Sequence, residues 1–215
     1  AGIGKSRLIQ ALFDSISDSP KYWLHYQCSP HHINSAYFPI IQRLEGAARF
    51  THSDTIETRL DKLESLLSHL GQDVEIYAPI FAALMSLSGD KRYGKLDLTP
   101  EQLRLRISEA LMNQVLSLVN DRPILIVFED THWIDPTTRE FLEQLSSCIS
   151  DTAVLILSTY RTSNSRPITP ISHLTSITLN RLSRSQGRKI IEGAGKVAIK
   201  DDVIDQIISR SDGVP

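Results

Sequence analysis

The chain opens on Ala1-Gly2-Ile3-Gly4-Lys5-Ser6, which fits the end of the loop pattern G-x-x-x-x-G-K-[ST]. That loop is a turn between a strand and a helix. Gly4, Lys5 and Ser6 fill its last three fixed positions. Its first glycine, and the strand that leads into it, are expected before Ala1. A polyphosphate wants many donors and no side chains in the way. Gly2 and Gly4 allow the backbone N–H groups, with that of Ile3 between them, to turn inward around phosphates. A helix beginning near Lys5 would point its positive end at the same place. Lys5 would reach the β- and γ-phosphates as a point charge, and Ser6 would offer its hydroxyl to Mg²⁺. The plain alternative is a Gly-rich helix start with an incidental lysine. Leu8, Ile9, Leu12, Phe13 and Ile16 predict one apolar helix face, with Ser17 to Pro20 as the stop.

A second constellation lies far along the chain. Ile124-Leu125-Ile126-Val127-Phe128 runs into Glu129-Asp130. Five apolar residues ending in two acids predict a strand buried on both faces, its carboxyl end carrying carboxylates where open α/β sheets bind ligands. Glu129 is the candidate for the metal side, through water, and Asp130 for orienting an attacking water. Solvated acids at a strand end are the structural alternative. A third strand is expected over Ala153 to Leu157, followed by Ser158-Thr159-Tyr160-Arg161. A polar residue there can face a γ-phosphate, and Arg161 would sense or stabilise its charge. A surface ion pair is the alternative role for Arg161.

The order of elements is α/β, then helical, then α/β, then helical. Tyr22 to Cys28 predicts a strand, and residues from about 36 to 120 carry no clear strand pattern. Leu60, Leu63, Leu67 and Leu70 make a helical stripe. Thr99-Pro100-Glu101-Gln102 is a capping box that opens a helix bearing Leu103, Ile107, Leu111, Val115 and Leu118. These stripes are most simply core. Asp135-Pro136 is a helix start, which makes Asp135 a cap rather than a catalyst. Trp133 is simplest as a buried aromatic anchor. A short strand is expected near Ile177 to Leu179. Ser183 to Gln186 is a second capping box, and Asp201 to Ser211 a last helix with Val203, Ile204, Ile207 and Ile208 on its apolar face. Asp212-Gly213-Val214-Pro215 is a turn by composition.

Gly2-Ile3-Gly4-Lys5-Ser6-Arg7-Leu8, Val127-Phe128-Glu129-Asp130-Thr131-His132-Trp133-Ile134-Asp135, Ser158-Thr159-Tyr160-Arg161 and Gly213-Val214-Pro215 together resemble one family. It is the AAA-like, signal-transducing (STAND-class) ATPase domain of large bacterial regulators. Cys28-Ser29-Pro30-His31-His32-Ile33-Asn34-Ser35-Ala36 is similar to the stretch after the second strand in the subgroup beside class III adenylate/guanylate cyclase domains. The resemblance covers essentially the whole chain. It implies an α/β P-loop NTPase fold: a parallel sheet with helices on both faces, a helical insertion over about 36–120 within a core of 1–180, and a helical lid beginning at 181–215. It implies ATP and Mg²⁺ as ligands, with Gly2, Ile3, Gly4, Lys5, Ser6 and Arg7 at the phosphates and Ser6 and Glu129 on the metal side. Asp130 is the catalytic neighbour, Arg161 the reporter of the γ-phosphate, and Gly213 and Pro215 part of a Gly-x-Pro motif near the adenine. Glu129 stands where many P-loop relatives carry aspartate. The implied activity is a slow, Mg²⁺-dependent ATPase switch whose output, any cyclase activity included, lies in another domain. Implied partners are other domains of the same polypeptide (a cyclase, kinase or DNA-binding domain, tetratricopeptide repeats) and nucleotide-dependent self-association. A nucleotide-binding module without turnover, and a protein-interaction scaffold, are the rival readings.

With 215 residues and 41% hydrophobic content the chain can bury a core, as one large or two small domains. A formal net charge of −2 gives no electrostatic case for direct nucleic-acid binding. Cys28 and Cys148 lie far apart and suggest no disulfide framework. Cys28 with His31 and His32 lacks the second ligand cluster that a zinc site needs. No run approaches a membrane span and no signal peptide is visible, so a cytoplasmic setting is expected.

Overall fold

The computed structural model describes residues 2–16, 22–119, 122–161, 173–194, 200–211 and 213–214. In chain order the elements are α1 (Lys5–Ser15), β1 (Tyr22–Gln27), α2 (Phe38–Ala47), α3 (Ile56–His69), α4 (Val74–Leu84), α5 (Asp90–Tyr93), α6 (Pro100–Val119), β2 (Ile124–Glu129), α7 (Pro136–Cys148), β3 (Val154–Ser158), α8 (Arg184–Ala194) and α9 (Asp201–Ser211). They fall into two compact units. One is built from the two ends of the chain, up to residue 19 and from residue 174; the other spans 20–173.

The larger unit is organised by a parallel sheet in the order β1-β2-β3. Tyr22 pairs with Ile124 and Gln27 with Glu129; on the other side Ile124 pairs with Val154 and Phe128 with Ser158. This is the α/β, P-loop type of architecture expected from the sequence. The apolar run of β2 is buried along its length because this strand is central and has neighbours on both edges. Ile124, Ile126 and Phe128 face the main core; Leu125 and Val127, on the opposite face, are also buried. The edge strand β1 alternates instead: Tyr26 stacks on Phe128 at 4.6 Å, while His25 and Gln27 stay exposed.

From α2 to α6 the chain forms helices and their connections with no strand between them, as the missing strand pattern predicts. Leu60, Leu63 and Leu67 of α3 are fully buried, and Leu70 at its end is partly so. Each such burial contributes roughly 1.5–3 kcal/mol, so this stripe is core rather than partner surface. α3 packs on α4, and α4 on α6. The capping box of α6 forms reciprocally: Thr99 N–H donates to Gln102 Oε1 at 2.9 Å, and Gln102 N–H to Thr99 Oγ1 at 3.2 Å. Arg92 on α5 reaches Glu57, Asp61 and Glu64 on one face of α3.

The smaller unit holds α1, α8 and α9. Ser183 and Gln186 form the second capping box, at 2.9 and 3.3 Å. Ile204 and Ile208 of α9 are buried, and Gly187 of α8 leaves room for Ile208; Val203 and Ile207 of the same predicted face are exposed. In α1 only Ile9 is buried, and Leu8 is exposed. The strand expected near Ile177 to Leu179 is absent: residues 174–183 have no regular structure, and Ile177 is 80% exposed. An apolar stretch becomes a strand only when another edge takes its backbone groups. Here Leu182 N–H donates instead to Gly213 O at 2.8 Å. The helix stop expected over 17–20 lies outside the described residues.

Candidate functional site

In the smaller unit the turn before α1 has the conformation its glycines permit. Gly2 and Gly4 both have positive φ, +79° and +93°, and Gly4 caps α1, whose first bond runs from Leu8 N–H to Gly4 O. Backbone N–H groups at such a left-handed turn before a helix form an anion-binding concavity. Lys5 is half-buried; Ser6 and Arg7 are exposed, and the Arg7 guanidinium lies 3.9 Å from Asp14. The Gly213-Val214 turn belongs to the same unit. A Cβ on Gly2 would stand 3.0 Å from Val214 Cγ1, so the two turns touch. Gly213 has φ +73°, and a Cβ there would meet Leu182 O at 2.7 Å, which only glycine avoids. Pro215 lies outside the described residues.

In the larger unit, the carboxyl end of β2 turns sharply. Glu129 is the last strand residue, and Asp130 takes left-handed angles (φ 54°, ψ 44°). The turn is tied to the end of β3. Asp130 N–H donates to Thr159 Oγ1 at 3.1 Å, Thr131 N–H to Thr159 O at 2.8 Å, and Thr131 Oγ1 lies 3.0 Å from Ser158 Oγ. Ser158, at the end of β3, and Thr159, just after it, therefore help to build the acid turn. Thr131 is fully buried. The strain of a non-glycine left-handed residue, of order 1–3 kcal/mol, is held by this network.

Each acid is also met by a side chain of β1. His25 Nε2 lies 2.9 Å from Glu129 Oε1, and Gln27 Nε2 donates to Asp130 Oδ2 at 3.2 Å. The sequence reading missed both residues. Their signal was the alternation Trp23-Leu24-His25-Tyr26-Gln27, which places His25 and Gln27 on one face, but the pairing partner of that strand is not written locally. The His132 side chain is buried, its Nδ1 3.9 Å from Asp130 Oδ1, and Trp133 packs partly buried against the core. Arg161, beyond β3, is exposed.

Asp135 is a helix cap. It is buried, and Oδ1 accepts from Thr138 N–H at 2.9 Å while Oδ2 accepts from the Thr138 hydroxyl. Oδ1 also accepts from Tyr37 N–H at 3.4 Å, so one carboxylate serves the starts of both α7 and α2. Cys28 is buried nearby; burial, with the charges of Asp135 and Asp130 adding, pushes its thiol up to about 12. It stays neutral and is poorly suited as a nucleophile or metal ligand. Both cysteines are free, and the described residues hold no cluster of three or more His, Cys, Asp or Glu able to bind a metal. Among the described residues no helix is long and apolar enough to cross a membrane.

Comparison with known proteins agrees with this geometry. The family model described as "AAA ATPase domain" matches residues 1–157. The chain is similar, at 26% identity over 218 residues, to a Rhizobium meliloti (strain 1021) protein described as "Uncharacterized protein R02095". All of this chain is covered, and it spans about a fifth (21%) of that relative's length. No solved structure matches. With the phosphate-type turn, the acid-ended central strand and a family match over most of its length, this chain belongs to the AAA ATPase domain family.

Proposed function

We propose that the chain is an ATP-binding, slowly ATP-hydrolysing switch domain of a larger cytoplasmic signalling protein of the STAND class, beside a cyclase or transcription-regulating output. The observation that carries this reading is the Glu129–Asp130 turn at the end of β2, with each carboxylate met by a β1 side chain. Acids held this way suit a hydrolytic centre better than a module that only stores nucleotide or a pure scaffold.

In this reading the amides of the Gly2–Gly4 turn and the Lys5 ammonium bind the phosphates, and Gly213 and Pro215 lie near the base. Ser6 and Glu129 would be the residues on the Mg²⁺ side, a hydroxyl and a carboxylate being hard oxygen ligands of the kind that ion takes. When bound, that ion would neutralise phosphate charge. Asp130 orients the attacking water, and Arg161 reports the γ-phosphate. ATP would close the helical end over the loop, and self-association or contact with neighbouring domains would follow the bound nucleotide.

Paired variants of the intact protein test this. Lys5→Ala should weaken ATP binding strongly, measured by calorimetry. Asp130→Asn should retain binding while turnover falls about tenfold to a thousandfold, the scale of a positioned acid–base group. Full turnover in Asp130→Asn, or unchanged affinity in Lys5→Ala, removes that residue from the site.

A further inference from the structure

We infer that His25 is a positioning residue for Glu129, fixing the carboxylate that faces the Mg²⁺ side of the proposed site; the inference rests on the ATPase reading. The imidazole Nε2 stands 2.9 Å from Glu129 Oε1, joining residues 104 positions apart in sequence. That contact follows from the sheet. Parallel pairing sets Gln27 opposite Glu129, and the period of two puts His25 and Gln27 on the same face of β1. Glu129 is the more enclosed partner, its side chain 12% exposed, whereas the His25 ring is 41% exposed. Trp23, two residues earlier on that face, meets the His25 ring edge-on with centroids 6.1 Å apart.

An exposed histidine–carboxylate pair contributes little to stability. This one joins the end of one strand to its neighbour, and the carboxylate it holds is the candidate metal-side acid. A bond from Nε2 to Oε1 limits rotation of that carboxylate. Groups that orient a metal-facing ligand typically change metal affinity by about tenfold to a hundredfold when removed. The ring works through Glu129 and needs no contact with nucleotide.

The experiment uses the intact protein and two variants, His25→Leu and His25→Gln. Stabilisation by ATP is followed by thermal shift while MgCl₂ is titrated, and ATP binding is measured separately in EDTA. His25→Leu should raise the Mg²⁺ concentration at half-effect about tenfold to a hundredfold, with ATP binding in EDTA and the nucleotide-free melting temperature unchanged. His25→Gln, which keeps a donor, should recover most of the shift. An unchanged Mg²⁺ half-point in His25→Leu, beside a normal response of the parent protein, overturns this inference alone. So does equal weakening of ATP binding in EDTA. A parent protein that gains no stability from Mg²⁺ with ATP overturns the ATPase reading and this inference together.

Discussion

Asp135→Ala measures how firmly the two helix starts are joined. The change removes the acceptor for Thr138 N–H, at 2.9 Å, and for the Thr138 hydroxyl, and it frees Tyr37 N–H at 3.4 Å. Loss of an N-cap alone costs typically about 1 kcal/mol. Thr138 is fully buried, so its hydroxyl is left without its acceptor, adding about 1–3 kcal/mol. The sum, about 2–4 kcal/mol, is a large part of the roughly 5–15 kcal/mol that a domain has. For chains of this size, 1 kcal/mol moves the melting temperature by about 2–4 °C. A fall of roughly 4–16 °C is therefore expected by calorimetry. The double variant Asp135→Ala/Thr138→Val should recover part of the loss, because replacing both partners by apolar groups strands nothing. ATP affinity should stay close to that of the parent. A melting temperature within about 2 °C of the parent, or no recovery in the double variant, refutes the shared-cap account and reopens a catalytic role for Asp135.

Two further outcomes are expected. Gly213→Ala places a Cβ 2.7 Å from Leu182 O at a φ of +73°; the left-handed cost alone is about 1–2 kcal/mol. Amide exchange in α8 and α9 should then speed by at least about fivefold, and unchanged exchange would show that the turn does not brace this unit. Asp54 is held down to about 2 by its hydrogen bond from Lys62 and by that from Thr51 N–H. A carboxylate lowered in the folded state stabilises above its ordinary value near 3.8, and the gain is lost as pH falls toward 2. Melting temperature should therefore drop more steeply between pH 4 and 2 in the parent than in Asp54→Asn; equal slopes would rule this out.

Features set by local rules were legible in the sequence. Both capping boxes, the Asp135 cap, the Leu60–Leu67 stripe and the buried run of β2 each depend on residues within a few positions of one another. What was not legible depends on pairing across distance. His25 and Gln27 gain their meaning from which strand lies beside β1. Ser158 and Thr159 bond the acid turn, because the turn of β2 falls against the end of β3, and that neighbourhood is not written near either residue. Ile177 to Leu179 has the composition of a strand, but composition supplies no partner edge. Glu129 and Asp130 were found as a pair because acids after an apolar run are a local pattern; the groups that hold them are not.

The adjacency of β1 and β2 has a consequence for how this sequence can vary. Nearly a hundred residues, helices and the connections between them, separate two strands that sit side by side. Closing a loop costs free energy only as the logarithm of its length, about 0.6 kcal/mol for each doubling. The sheet register is held by ladder pairing, and the Tyr37–Asp135 bond ties the start of that excursion to the start of α7; neither depends on its length. The connections between its helices can therefore lengthen or shorten at small thermodynamic cost, whereas the helices themselves are held by the leucines they bury in the core. Selection is free to vary those connections while the acid turn keeps its ties to the end of β3.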